Sequence, residues 1–191
     1  MKMIVTISGN PGSGKSTAAK FLAKELNAER IYVGGMLRTM AKEKGMTLQE
    51  FLKYIIGHPK IDVEADERTR DEARRLAAMG KHVIVEGRVQ FHFLPESLKI
   101  FVKVTPEEGA KRIHKAMQNA EEAAERNEAQ MSLEETQRKV QQRYNEDAER
   151  YLEIYKLDYR NENNYDEIID ATKMSLEEEG QALLVVVKKH L

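Results

Sequence analysis

Gly9-Asn10-Pro11-Gly12-Ser13-Gly14-Lys15-Ser16-Thr17 carries the spacing G-x-x-x-x-G-K-[ST] at every fixed position. The chemistry of that string is phosphate binding. Glycines let successive backbone N–H groups turn inward around phosphate oxygens, Lys15 reaches the β- and γ-phosphates, and the Ser16 hydroxyl ligates Mg²⁺. The helix that follows adds the positive end of its dipole. With glycine near 7% of residues in ordinary chains, a chance match in a chain of this length is about one in a hundred. The short β-branched run before the motif and the helical pattern after it lower that further. The bland alternative is a glycine-rich turn with an incidental lysine.

Other charged residues lie where such a site could use them. His82-Val83-Ile84-Val85-Glu86-Gly87-Arg88 reads as a strand ending in a carboxylate and an arginine. Glu86 is placed to hold waters on Mg²⁺, or else is a solvated strand end. Arg88 falls at the carboxyl edge of the sheet, where ligands of α/β proteins bind, or else makes a surface ion pair. Gly34-Gly35-Met36-Leu37-Arg38 closes a second strand and offers another anion site, the alternative being a plain helix cap with an exposed arginine. Arg143, Asp147 and Arg150 stand at i, i+4 and i+7 on one helix face, beside an apolar stripe of Val140, Tyr144, Ala148, Tyr151 and Tyr155. A solvated salt-bridge ladder would have the same spacing. Three arginine sites around one triphosphate cradle suit phosphoryl transfer between two polyanions, where cations must hold donor, transferred group and acceptor. Arginine's planar fork serves that better than lysine. An acceptor that is itself a phosphate is already ionised near pH 7 and requires no general base.

Composition removes several rivals. The chain has 191 residues, 41% hydrophobic and 33% charged, which is enough for one domain with its own core. A formal net charge of -1 gives no general pull on nucleic acid or acidic lipid. The absence of cysteine excludes disulfides, thiolate zinc sites and cysteine nucleophiles, and the absence of tryptophan argues against a base-stacking platform. The strings N-K-x-D and D-x-x-G of guanine-nucleotide switches do not occur. No segment reads as a secretion signal or a membrane span, so a cytoplasmic protein without membrane or nucleic-acid partners, and a monomer, is expected.

The elements that must position these residues are legible from periodicity and caps. Strands are expected at Met3 to Ser8, Arg30 to Val33, His82 to Glu86, Leu98 to Val104 and Asp166 to Asp170. Helices are expected over Ser16 to Leu26, Met36 to Lys44, Thr47 to Ile56 and about Ile61 to Met79. Thr105-Pro106-Glu107-Glu108 opens a further helix to about Gln118. Ser132 and Ser175, each with glutamate three residues on, open two more, the first running to about Lys156. Residues 119–131 carry no apolar period and read as a loop or a weak helix. Alternating strands and helices predict an α/β fold with a mostly parallel sheet covered on both faces.

With these residues in view, the chain resembles the nucleoside monophosphate kinases, most of all the short cytidylate kinases of archaea and some bacteria. The likeness is carried by the phosphate loop, Val33-Gly34-Gly35-Met36-Leu37-Arg38, Pro59-Lys60-Ile61-Asp62, Val83 to Arg88, and Arg143 through Tyr155. It implies a five-stranded parallel P-loop core (1–34, 81–110, 158–191), a helical segment that binds the monophosphate (35–80) and a helical lid (111–157). It further implies ATP bound by Gly9 to Thr17, and catalytic roles for Lys15, Arg88, Arg143 and Arg150. Arg38, Asp62, Arg88 and Asp147 would bind the acceptor, Asp62 being the candidate for the cytosine edge and Asp147 for the sugar. Ser16 and, through water, Glu86 would hold Mg²⁺. The implied reaction moves the γ-phosphate of ATP to CMP, with dCMP as a further acceptor. Alternatives are an adenylate or shikimate kinase-like enzyme, or an ATP-dependent regulatory protein. Two departures stand out. Gly35 replaces an acid found in many relatives, and Val89 stands where longer bacterial enzymes read the base with an aspartate. Arg112 and Arg126 are unaligned candidates for lid arginines.

Overall fold

A computed structural model describes residues 2–119 and 131–191. The expectation for the 119–131 stretch, Arg126 included, falls almost wholly outside them. The chain begins with β1 (Ile4–Gly9), passes through the phosphate loop into α1 (Lys15–Glu25), and returns along β2 (Glu29–Tyr32). Three helices follow, α2 (Val33–Glu43), α3 (Leu48–Ile56) and α4 (Pro59–Ala78), before β3 (Val83–Glu86). A single-turn helix α5 (Gln90–Phe93) leads to β4 (Leu98–Lys103), α6 (Pro106–Met117) and the long α7 (Leu133–Tyr155). β5 (Glu167–Asp170) and α8 (Leu176–Lys189) complete the described chain. Among the described residues no helix is long and apolar enough to cross a membrane.

The five strands form one all-parallel sheet in the order β2-β3-β1-β4-β5. β2 and β3 end level, Tyr32 beside Glu86, while β1 pairs Ile7 with Glu86 and runs two residues further to Gly9. Burial on both faces explains the continuous apolar strands. On one face Val5, Ile7, Ile84, Ile100 and Val102 pack on Ala19 and Leu22 of α1 and on Leu183 and Val187 of α8. On the other, Ile4, Val83 and Val85 pack on Ala73 and Ala77 of α4. Thr6, turned to neither apolar cluster, hydrogen-bonds the Ser97 hydroxyl at 2.9 Å, which keeps a buried polar group satisfied. Phe51, fully buried, centres a separate cluster that ties α2 to α3.

The helix starts follow the caps. Thr105, Ser132 and Ser175 each accept a hydrogen bond from the backbone N–H three residues on. Thr47 makes a complete capping box with Glu50. One boundary differs from the sequence pattern. Gly34 and Gly35 do not end β2 in a turn; they lie in the first turn of α2. Glycine is needed at 35 because the Tyr32 ring lies so close that a Cβ there would stand 2.5 Å from it. Short α5 was not foreseen, because four residues carry no readable period.

α6 approaches the phosphate loop equally closely. A Cβ on Gly109 would fall 2.5 Å from the Pro11 carbonyl oxygen, and one on Gly12 would fall 2.2 Å from the Gly109 carbonyl. Replacing glycine by alanine inside a helix ordinarily stabilises by about 1 kcal/mol. Here the sign reverses, since backbone must move to admit the methyl. Gly109→Ala is expected to lower the melting temperature, and a raised one in thermal denaturation would show that the loop yields freely.

Candidate active site

The phosphate loop leaves β1 at the centre of the sheet and enters α1 at Gly14. Asn10 anchors it, donating from Nδ2 to the Val104 carbonyl at 2.8 Å, while Ser13 N–H closes back on the Asn10 carbonyl at 3.2 Å. Gly12 holds φ at 75°, the left-handed region that glycine adopts without cost. Gly14, the N-cap of α1, supplies no side-chain cap, so the first N–H groups of the helix remain for a ligand. Gly12 to Thr17 line one cleft together with Tyr32, Arg38, Glu86, Arg88, Arg143, Asp147 and Arg150. Four segments distant in sequence thus converge on the carboxyl edge of the sheet.

Lys15 donates to the Asn10 carbonyl at 3.1 Å, and its ammonium is held well below the usual lysine range by enclosure and then by the neighbouring Arg88 charge. A lysine crowded by a second cation is a site that gains from an anion. Ser16 Oγ donates to Glu86 Oε1 across the α1–β3 gap, and Arg30 from β2 donates to Glu86 Oε2 at 2.6 Å. Glu86 is only 2% exposed, so it is a buried, doubly engaged carboxylate and not a solvated strand end.

Asp147 organises the arginines. Its Oδ2 accepts from Arg88 Nε at 2.8 Å and lies 3.8 Å from Arg143 Nε, while its Oδ1 accepts from Arg150 Nη2 at 3.1 Å. Against the cost of burial, these three charges hold its carboxyl far below the usual range. Arg88 also donates to the Gly9 carbonyl and stacks over the Tyr159 ring at 5.4 Å, which ties it to the base of the phosphate loop. Arg150 is 5% exposed; its Nη1 donates to both Asp62 oxygens, at 2.8 and 2.6 Å, and its Nη2 donates to the Tyr151 hydroxyl at 3.0 Å. Arg38 donates to the Tyr32 hydroxyl and to the Gly34 carbonyl at the mouth of the cleft. Asp147 and Arg150 are therefore buried, with Arg143 half-buried beside them, in a network facing the cleft and not an exposed ladder. Asp62 sits in the first turn of α4, with both oxygens on Arg150.

Several participants carry little or no sequence signal of their own. Asp66, one turn after Asp62, accepts from Gln90 Nε2 at 2.5 Å and from the Tyr155 hydroxyl at 2.7 Å. Burial, opposed by the Tyr155 bond, pushes its carboxyl up to about 7. The i, i+4 spacing of Asp62 and Asp66 was the available clue. Arg30 and Tyr159 had none, since their contacts are made only by the fold. Arg112, an unaligned candidate for the lid, turns behind the loop, where it donates to the Ser13 carbonyl at 3.0 Å and to Glu179 at 3.1 Å.

The raised Asp66 pKa has a definite consequence for stability. The folded protein binds this proton more tightly than the unfolded chain, so Asp66 costs nothing below about pH 4, and its cost grows as pH rises toward 7. Asp66→Asn, whose amide can donate to the unpaired Gln90 Oε1, removes that cost. Denaturant unfolding at pH 5 and 7.5 should show the variant gaining on the wild type at the higher pH. An equal difference at both values would place the carboxylate outside the linkage.

Comparison with known proteins agrees with this architecture. The family model of the AAA domain matches residues 5–133. A cytidylate kinase of Thermococcus kodakarensis is 36% identical over 169 residues, 88% of this chain and 79% of that protein. A cytidylate kinase of Methanocaldococcus jannaschii is 35% identical over 180 residues, 92% of each. An S-adenosylmethionine-dependent nucleotide dehydratase of Lacinutrix mariniflava is 30% identical over 185 residues, 96% of this chain but 36% of that longer protein. Among solved structures, the shikimate kinase of Aquifex aeolicus superposes with a TM-score of 0.57 at 17% identity, covering 98% of both chains. A protein from Eubacterium ventriosum gives 0.64 at 16%, covering 98% of this chain and 99% of that one. At those identities the structural likeness concerns the fold alone. Taken with the phosphate loop and its arginines, the relatives establish that this chain belongs to the P-loop nucleoside monophosphate kinase family, alongside the archaeal cytidylate kinases.

Proposed function

We propose that the protein transfers the γ-phosphate of ATP to CMP, or to dCMP, giving ADP and the diphosphate. The observation that carries this reading is the Arg88–Asp147–Arg150 cluster, with Arg143 beside it, buried on the same cleft as the phosphate loop. One anion-binding cradle accounts for a donor triphosphate. The additional arginines, opposite the loop and next to the α2–α4 segment, account for a second phosphate. The names of the relatives support cytidine as the base.

In this reading Gly9 to Thr17 hold ATP, and Lys15 follows the transferred group. Arg38 and Arg88 hold the acceptor phosphate, and Arg143 and Arg150 stabilise the charge that spreads during transfer. Ser16 and Glu86 fit Mg²⁺: a hydroxyl beside a carboxylate, with no group of three acidic or histidine side chains among the described residues, suits an ion that keeps its waters and is held largely by phosphates. Bound there, the ion would neutralise donor charge. The Asp62–Arg150 pair gives the acceptor a switch. A phosphate that draws Arg150 to itself releases the Asp62 carboxylate to accept from the exocyclic amino group of cytosine. Residues 35–80 and 111–157 would close over the two substrates and exclude water, so that transfer outcompetes hydrolysis.

The test is a turnover screen of the common nucleoside monophosphates and shikimate with ATP. ADP release that depends on CMP supports the reading; release without any acceptor supports an ATP-dependent regulator. Lys15→Ala should lower kcat by about two to four orders of magnitude, the scale of a lost electrostatic stabiliser.

The arginines should divide. Arg38→Ala removes uniform binding, so KM for CMP rises while kcat changes less. Arg150→Ala should lower kcat/KM by about 3 kcal/mol. It also strips Asp62 and Asp147 of a partner, at about 3–5 kcal/mol of stability for a broken buried pair. Steady-state kinetics together with urea unfolding separate the two losses. A variant with wild-type kcat would remove Arg150 from the reaction.

A further inference from the structure

We propose that Glu179 is a positioning residue for donor phosphate binding: through Arg112 it fixes the Ser13–Gly14 peptide so that the Gly14 N–H faces the phosphate cradle. This rests on the phosphate loop as a triphosphate site and is independent of which acceptor is used.

Glu179 lies in the first turns of α8, yet is 0% exposed, a rare state for a glutamate. It reaches under the loop to Gly14, where a Cβ would stand 2.3 Å from its Oε2 and 2.7 Å from its Oε1. Gly14 also holds φ at 94°, so a side chain there is excluded twice over. The charged groups that face the carboxylate are Arg112 from α6 and Lys15 from the loop. Arg112 Nη1 is shared between Glu179 Oε2 at 3.1 Å and the Ser13 carbonyl at 3.0 Å, and Nη2 donates to the Ala171 and Met174 carbonyls at 2.6 and 2.7 Å. One guanidinium thus spans the phosphate loop, the β5–α8 connection and α8. Glu179 is the only carboxylate among these acceptors that is fully buried; Glu108, 3.4 Å from Arg112 Nε, is half-buried.

The geometric consequence follows from peptide planarity. In a trans peptide the N–H points opposite to the C=O. Arg112 does not line the cleft, and it draws the Ser13 carbonyl to the rear of the loop. The N–H of the same peptide, that of Gly14, therefore faces forward. That is the first free N–H at the start of α1, the group an entering phosphate oxygen would accept from. The carboxylate has a cost in this place, because its charge opposes the donor's phosphates and its Oε1 has no hydrogen-bond partner. Burial lifts it to about 7 despite Arg112. An uncharged residue would avoid both costs, so the arrangement makes sense only if fixing Arg112 is worth more.

The experiment measures binding of ATP and of inorganic tripolyphosphate by calorimetry, with no acceptor present, for wild type, Glu179→Gln and Arg112→Lys. The expected result is weakening of both ligands by about tenfold in each variant, the size of one charge-assisted hydrogen bond. Lysine does not rescue, because a point charge cannot hold four acceptors in a plane. In turnover with the acceptor that the screen identifies, KM for ATP should rise and KM for the acceptor should stay within about twofold of wild type. Unchanged or tighter tripolyphosphate binding, with only a lowered melting temperature, would overturn the proposal and leave the pair as a plain tie between α6 and α8. If the variants do not fold, the wild type decides: its Gly14 amide resonance must shift on adding tripolyphosphate, and an unmoved signal overturns the proposal. A wild type that binds no tripolyphosphate would instead remove the phosphate-loop reading itself.

Discussion

Everything at the cleft depends on one electrostatic constraint: three arginines and a lysine must stand close together before any phosphate arrives. Like charges at such range repel, and burial raises the cost. Asp147 is what makes the cluster stable, touching Arg88 and Arg150 directly with Arg143 nearby. The long helix α7 is therefore more than a cover. It carries the anion and two of its cations at positions fixed by helix pitch, while β3 brings Arg88 from the opposite side. Asp62 absorbs the remaining valence of Arg150 from α4. The network draws α4, α7 and the β3–α5 loop together, so the order of the cleft and the docking of the helices are one and the same property.

Around that network the fold acts as a set of close approaches. Pro11 and Gly12 meet Gly109, Gly14 meets Glu179, and Gly34 and Gly35 meet the Tyr32 ring. Each brings backbone, ring or carboxylate to a distance that a Cβ on the glycine would not permit. These contacts fix how far the phosphate loop stands from α6 and α8, and they align Tyr32 so that its hydroxyl receives Arg38. The precision of the site thus comes from packing at glycines as much as from the polar groups it displays.

Much of this was legible in the sequence because its causes are local. The phosphate loop, the five strands, and the caps Thr105, Ser132 and Ser175 depend on neighbouring residues, and the structure places them within a residue or two of expectation. The spacing of Arg143, Asp147 and Arg150 gave their common face but not its burial, which α4 and β3 decide. Arg30, Tyr159 and Glu179 escaped for the same reason: an isolated charge or aromatic has no pattern, and only tertiary packing turns it into a partner. Gly34 and Gly35 misled, because their effect is exerted through Tyr32 and not through a turn.

The level carboxyl ends of β2 and β3, paired to β1 at Ile7, also bear on how this chain can vary. Along a strand, successive side chains point to opposite faces, so a one-residue deletion within β3 would carry Glu86 to the face away from Ser16 and bring a different side chain to its place. A two-residue deletion would restore the face but withdraw the strand end by nearly 7 Å, roughly two strand residues, out of reach of α1. The connections at the opposite, amino edge have no such parity to respect. Length changes in descendants of this sequence should therefore accumulate in the connections at the amino edge of the sheet and in the helical excursions, while β1, β2 and β3 keep their residue count even where their composition drifts.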